Sequence, residues 1–350
     1  MIAIRTDANQ VIGAGHLMRC LSIAAELKMI GEEVILITAD EYPKFLIAQA
    51  GIKQLTLHTD WRLLPHEADL LLPILKYLHV TLLLVDSYLA TPEFIGHLKK
   101  GCIAVAYIDD LLSNVYPADI LINYNITGSR TKYEELYGKR ETVLLLDTKY
   151  APLRPEFRCV KPFPIYQDIR RIFLSAGGAD PYGFTAALTE RLFQEKDFDS
   201  VYLIATPGFF GHNDRLLKLQ HSFPRLKLVE NPNAVKKNME ACDVAISAAG
   251  STLYELCALG VPTISFSLAD NQVAARKAFG AQKIMVECGD LRDGISQCLD
   301  KIIQSLVLLK CPEKRAFFSK KAFSITDGLG ALRIAAVLSD ISHKHRLSDN

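Results

Sequence analysis

Gly13-Ala14-Gly15-His16-Leu17-Met18-Arg19 follows a short apolar run, Ile2-Ala3-Ile4, and opens a segment with helical spacing. Strand, glycine turn and helix together are the opening unit of a parallel α/β sheet. Glycines let the backbone turn sharply and approach a ligand closely. The helix start then offers free N–H groups and a partial positive charge, a ready site for an anion. Directly after Gly15 stands a titratable imidazole. An imidazole titrates near neutral pH, which suits a proton-transfer group facing a ligand. Two other readings fit the same residues. One is a turn that only packs helix on sheet, with His16 as a cap. The other is a dinucleotide fingerprint with Asp40 as its ribose acid, although Met18 stands where that pattern wants a third glycine.

Outward from this turn the alternation continues. Leu17, Leu21, Ala24, Ala25 and Leu27 share a helix face that Gly31 ends. Val34-Ile35-Leu36-Ile37 is a continuous apolar run, as in a strand buried on both faces. Tyr42 to Ala50 and Pro65 to Leu78 read as helices, Thr81 to Val85 and Ile103 to Ile108 as strands. The stretch from Cys159 to Pro164, with Pro162 and Pro164, breaks the rhythm and reads as a linker. A second series then starts with Ile172-Phe173-Leu174 and Gly177-Gly178, and runs through Val244 to Ile246, Gly250-Ser251-Thr252, Thr263 to Phe266 and Ile284 to Val286. Leu291 to Val307 and Pro312 to His343 read as helical, with a break near Thr326-Asp327-Gly328 and a polar tail. The expected fold class is therefore α/β, two Rossmann-like domains facing a cleft. Ligands bind at the carboxyl ends of the strands in such sheets.

At 350 residues the chain has room for two domains, and 49% hydrophobic with 23% charged residues fits a folded soluble protein. A formal net charge of +1 gives no electrostatic case for nucleic acid as a partner. The eight cysteines, at 20, 102, 159, 242, 257, 288, 298 and 311, include no C-x-x-C pair and read as reduced thiols of a cytoplasmic protein. No signal-peptide pattern is present, and the most apolar stretch, Leu70 to Val85, carries Pro73, Lys76 and His79, so membrane insertion is not expected.

Gly250-Ser251-Thr252 offers N–H groups and hydroxyls to a phosphate, and Glu255, one turn on, can hold a ribose diol; a capped helix with an acidic first turn is the plainer reading. Gly177-Gly178 is a second close-approach turn. In Asp270-Asn271-Gln272, Asp270 reads as an N-cap, while Asn271 and Gln272 can reach sugar hydroxyls or phosphate oxygens. Asp86-Ser87-Tyr88 and Asp109-Asp110 stand at carboxyl ends of strands, facing a ligand or capping the next helices. No metal site is expected: His58, His66, His79, His97, His212 and His221 lack ligand spacing. Asp197-Phe198-Asp199 precedes a strand and reads as a solvated turn.

Together, Gly-x-Gly-His, Ala248-Ala249-Gly250-Ser251-Thr252-Leu253-Tyr254-Glu255-Leu256, Gly260-Val261-Pro262 and Ala269-Asp270-Asn271-Gln272 resemble nucleotide-sugar enzymes of the glycosyltransferase-B type, MurG-like transferases among them. Tyr150-Ala151-Pro152-Leu153-Arg154-Pro155-Glu156-Phe157 and Ala176-Gly177-Gly178-Ala179-Asp180-Pro181 narrow the resemblance to the PseG/SpsG family. It runs from Met1 to about Val286; beyond Leu291 the helices are longer than that pattern. The resemblance implies a hydrolase of pseudaminic acid biosynthesis that splits UDP-2,4-diacetamido-2,4,6-trideoxy-β-L-altropyranose into UDP and free sugar, inverting, with no cofactor and no metal. His16 would direct or deprotonate the water and Tyr88 would line the sugar site. Gly13 and Gly15 would bring the backbone close to the anomeric carbon. Gly250, Ser251 and Thr252 would hold the diphosphate, with Gly177 and Gly178 as a second donor turn, Glu255 the ribose, and Asn271 and Gln272 the diphosphate or sugar. The implied domains are 1–158 with the catalytic turn, 165–325 for UDP, and a helix and tail, 326–350, crossing back to the first. A transferase using a UDP-sugar donor is the alternative.

Overall fold

The structure is a computed structural model that describes residues 1–41, 44–101, 103–158, 160–161, 163–178, 180–207 and 214–348. Tyr42, Cys102, Cys159, Pro162, Ala179 and His212, named above, lie outside the described residues. The chain divides into two compact units. The first is Met1–Ile12, His16–Pro155 and Gly328–Asn350; the second is Glu156–Asp327, with Gly13–Gly15 grouped to it.

The first unit alternates strand and helix: β1 (Ile2–Thr6), α1 (Gly15–Met29), β2 (Val34–Thr38), α2 (Lys44–Gln49) and β3 (Lys53–Thr56). It continues with α3 (Ala68–Tyr77), β4 (Leu82–Asp86), α4 (Pro92–Lys99), β5 (Ala104–Ile108), β6 (Ile120–Asn123), α5 (Arg130–Tyr137) and β7 (Val143–Leu146). The seven strands form one parallel sheet in the order β3-β2-β1-β4-β5-β6-β7. Leu82 to Val85 are fully buried, as the unbroken apolar run requires of a central strand covered on both faces. The chain order reverses between β1 and β4, so this is the sheet's topological switch point, where such sheets open a crevice at the strand ends.

The second unit comprises β8 (Arg171–Ser175), α6 (Phe184–Gln194), β9 (Tyr202–Thr206), α7 (Asp214–Ser222), β10 (Leu226–Leu228) and α8 (Val235–Glu240). Then come β11 (Val244–Ala248), α9 (Thr252–Leu259), β12 (Thr263–Ser267), α10 (Asp270–Ala281), β13 (Val286–Asp290), α11 (Ile295–Leu309) and α12 (Pro312–Phe323). Its six strands are parallel in the order β10-β9-β8-β11-β12-β13, with the switch point between β8 and β11. The core of this unit joins Ile172, Leu174, Val244, Ile246, Ile264 and Phe266 of the sheet to Phe184, Leu188, Ile302 and Leu306 of the helices.

The sequence reading differs locally from this. A single helix over Pro65 to Leu78 is instead a 3-10 turn, Trp61–His66, followed by α3. Pro65 has no N–H to give an α-helical ladder, and it sits in the tighter turn. The strand read at Ile284 to Val286 starts only at Val286, and the polar tail after His343 continues as α13 (Gly330–Ser348).

Helix α13 belongs to the first unit. Ser342 shares a 2.6 Å hydrogen bond with Thr81, Ser339 donates to Glu32 at 2.6 Å, and His343 Nε2 lies 2.8 Å from the same carboxylate. Its first residue sits against the backbone of Tyr150 and Ala151, and a Cβ built on Gly330 would fall far inside contact distance of the Ala151 carbonyl. Gly330→Ala is therefore expected to destabilise the protein by about 1–3 kcal/mol, the usual cost of overpacking. A melting temperature equal to wild type would show that the helix shifts without strain. No helix of the described residues is long and apolar enough to cross a membrane.

Candidate functional site

The loop after β1 is shaped by its own sequence. The Asn9 side-chain oxygen accepts the N–H groups of Val11 and Ile12, each at 2.9 Å, and closes a turn. Gly13 follows at φ +77°, a conformation that L side chains rarely adopt. A Cβ added to Gly15 would meet nothing within 4 Å, so space is open there. Helix α1 begins at Gly15, which puts His16 in its first turn and Arg19 one turn further on the same face.

Strand β4 ends at the same switch point, with Asp86 level with Thr6 of β1. Asp86 is 1% exposed and His16 7% exposed. The imidazole Nδ1 lies 2.7 Å from Asp86 Oδ1. Arg19 forks onto the same carboxylate, Nε to Oδ2 at 2.6 Å and Nη2 to Oδ1 at 2.5 Å, and Cys20 donates its thiol proton to Oδ2 at 3.3 Å. The other guanidinium nitrogen, Nη1, donates to Asp110 Oδ2 at 2.7 Å and to the Tyr124 hydroxyl at 2.8 Å. Asp110 also accepts from the Tyr88 hydroxyl at 3.0 Å and from Asn125 Nδ2 at 2.8 Å. The Tyr88 and His16 rings meet edge to face, centroids 4.5 Å apart.

Burial alone would push the Asp86 carboxyl up, but Arg19 and His16 outweigh it and hold it well below the usual carboxylate range. Asp86 is thus an acceptor only. The Nδ1 that meets it at 2.7 Å must carry the ring proton, although Arg19 Nη2 comes within 3.1 Å of the same nitrogen. The remaining lone pair is on Nε2, which has no hydrogen-bond partner among the described residues. An imidazole fixed in this tautomer by a buried carboxylate can take a proton from a bound water or hydroxyl. Arg19 stays charged, because Asp110 and Asp86 more than offset its burial.

In the second unit the reading of phosphate turns divides. Gly177 and Gly178 follow β8, but the next helix, α6, is already capped: Asp180 accepts from Phe184 N at 2.8 Å and Thr185 N at 3.0 Å. Helix α9 is different. Ser251 is its cap residue and makes no side-chain capping bond, Thr252 opens the helix, and Glu255 lies in its first turn. A Cβ on Gly250 would meet nothing within 4 Å. Leu253 N and Tyr254 N donate to the Gly250 and Ser251 carbonyls within the turn, and a helix start without a side-chain cap at Ser251 is a place where an anion can approach. On α10, Asn271 is exposed, and the Gln272 oxygen turns back to accept Leu268 N at 3.0 Å, so half of that side chain serves the loop. Asp270 does not cap the helix; it accepts from Arg292 at 2.6 Å.

The structure thus brings His16 and Tyr88 together at the first switch point. It puts Gly177, Gly178, Gly250, Ser251, Thr252 and Glu255 at strand ends of the second sheet's switch point, with Asn271 and Gln272 beside β12. Arg19, Tyr124 and Asn125 are not among the residues the sequence singles out, and of the two roles open to Asp110 the structure has its carboxylate accept from Arg19, Tyr88 and Asn125. The available signal was a histidine–arginine pair three apart, facing two carboxylates at neighbouring strand ends. Among the described residues, no group of three His, Cys, Asp or Glu side chains is placed to hold a metal ion.

Comparison with known proteins supplies the family likeness. The spore coat polysaccharide biosynthesis protein SpsG of Bacillus subtilis is 24% identical over 361 aligned residues, covering 97% of this chain and 98% of SpsG. The chain is similar to SpsG from end to end. An uncharacterized protein of Methanocaldococcus jannaschii is 27% identical over 275 residues, 75% of this chain; the match spans about half, 54%, of that longer relative. No family model matches the chain. Among solved structures, MurG of Acinetobacter baumannii superposes with a TM-score of 0.67 at 13% identity, covering 97% of this chain and 99% of MurG. The UDP-GlcNAc 2-epimerase of Neisseria meningitidis, solved with UDP-GlcNAc, gives a TM-score of 0.63 at 12% identity, covering 97% of this chain and 100% of the epimerase. At such identities these structures speak to fold alone: α/β with two parallel sheets, of the glycosyltransferase-B type.

Proposed function

We propose that the protein is a UDP-sugar enzyme of polysaccharide biosynthesis, and that it hydrolyses UDP-2,4-diacetamido-2,4,6-trideoxy-β-L-altropyranose to UDP and the free sugar. The observation that carries this reading is the buried His16–Asp86 pair, 2.7 Å apart between the first turn of α1 and the end of β4, with Nε2 left to accept a proton. Likeness to SpsG over the whole chain supports the polysaccharide setting, and the epimerase bound to UDP-GlcNAc supports the nucleotide.

In the proposed step a water oxygen bonds to the anomeric carbon while the bond from that carbon to the phosphate oxygen breaks. The water's proton goes to His16 Nε2, and UDP leaves with the electron pair. His16 would supply the base, the N-terminus of α9 with Ser251 and Thr252 would take the growing diphosphate charge, and Glu255 the ribose. General-base help gives roughly 10²–10⁴-fold. Enzymes commonly reach at least about 10⁶-fold, so the leaving-group contacts must supply the rest. Likeness to MurG favours a second reading, transfer of the sugar to an acceptor.

The test is to incubate the protein with this UDP-sugar in ¹⁸O water without acceptor. UDP and free sugar carrying ¹⁸O on the anomeric carbon are expected. Label in phosphate would sink the mechanism, and absence of UDP until an acceptor is added would establish the transferase.

A further inference from the structure

One side chain ties the base to everything around it. Arg19 is 6% exposed and is held between two carboxylates, Asp86 on one side and Asp110 on the other. Each carboxylate orients a different site ring, Asp86 the imidazole of His16 and Asp110 the phenol of Tyr88. The titratable groups around His16 come from every neighbouring strand end. Arg19 and Cys20 belong to its own helix, Asp86 and Tyr88 to the end of β4, Asp110 to the end of β5, and Tyr124 to the end of β6. Asp7, beyond β1, is engaged by Arg5 at 2.6 Å. Cys20 and Tyr124 are neutral at ordinary pH: burial pushes both up, Tyr124 to about 12. The charged members are therefore two carboxylates and one guanidinium. With a neutral imidazole this cluster carries one negative charge; with an imidazolium it carries none.

We infer that Arg19 is a positioning residue that keeps His16 able to accept a proton: its charge offsets Asp86 and Asp110, and its fork fixes the Asp86 carboxylate toward Nδ1. Without that charge, two buried carboxylates would face the ring and hold it as an imidazolium, which has no lone pair to offer. The resting cluster, one charge short of neutral, is also completed by the proton that the reaction delivers. The inference rests on the reading of His16 as the base and adds what sets its working pH.

The experiment is a pH titration of the full-length protein labelled with ¹³Cε1-histidine, without substrate. The His16 resonance is identified by its loss in His16→Asn. A nearby charge moves such a titration by about 1–3 units. Arg19→Met is expected to raise the His16 midpoint by at least about one pH unit. Arg19→Lys, which keeps the charge but not the fork, is expected to leave the midpoint near wild type while kcat falls and the acid limb of kcat/KM stays in place. Asp110→Asn, which removes one negative charge, is expected to lower the midpoint, and it decides the matter alone if Arg19→Met does not fold. A wild-type midpoint in Arg19→Met or in Asp110→Asn would overturn the inference and leave Arg19 a packing residue. The titration needs no turnover, so its outcome is distinct from that of the hydrolase reading, which is decided by UDP release and the place of the ¹⁸O label without acceptor.

Discussion

His16→Asn is expected to lower turnover of the UDP-sugar by about 10²–10⁴-fold, the usual contribution of a general base, while UDP binding is unchanged. The asparagine amide can still donate to Asp86, so the Arg19 fork on that carboxylate has no reason to open. What disappears is the Nε2 lone pair, and no other neutral imidazole lies in the cluster. The UDP contacts proposed for α9 belong to the second unit and do not depend on residue 16. Two measurements check this: kcat from UDP release, and calorimetric titration with UDP. A folded variant that no longer binds UDP would show that His16 shapes the nucleotide site rather than moving a proton. A variant with wild-type kcat would remove His16 from the chemistry.

The fold was legible because its signals are local. Val34 to Ile37 and Leu82 to Val85 are unbroken apolar runs, and only strands covered on both faces demand such runs. Glycine turns after β1 and β8 marked where each sheet restarts. The order of strands was not legible, since the placing of β4 beside β1 is a crossover that no local pattern encodes. The site divides in the same way. His16 stood out because two glycines precede it, and Tyr88 because it follows a strand. Asp86 was visible as a strand-end carboxylate, but its pairing with a histidine 70 residues away depends on β4 lying next to β1. Arg19 was hidden by its setting: in a helix with Leu17 and Leu21 a single arginine reads as the solvated face, and only the two carboxylates at the strand ends make its burial possible. Asp110, at a strand end, fits both a ligand-facing and a capping role in the sequence, and only the fold shows its oxygens accepting from Arg19, Tyr88 and Asn125.

Asp86→Asn carries the second large expected effect, a fall in kcat of about 10²–10⁴-fold by the route through His16. The amide is nearly the same shape, yet it can turn its NH₂ toward Nδ1, which would place the ring proton on Nε2 and leave nothing to accept from water. Arg19 would keep only Asp110 as a charged partner, so stability falls as well. The folded Asp86 carboxyl is held below its ordinary value, so its contribution is fully present above about pH 4 and is lost as pH falls through the folded value. The gap in melting temperature between wild type and Asp86→Asn should therefore be wide at pH 7 and narrow below about pH 4. Because Asp86 is buried and reaches the chemistry only through the imidazole, its loss should matter little once His16 is gone. The double variant His16→Asn/Asp86→Asn is expected to turn over no more slowly than His16→Asn alone, the non-additivity of residues that act as one unit. If the two losses multiply instead, Asp86 acts on the substrate or on the second unit's chemistry by a route of its own, and the dyad is the wrong description of this site.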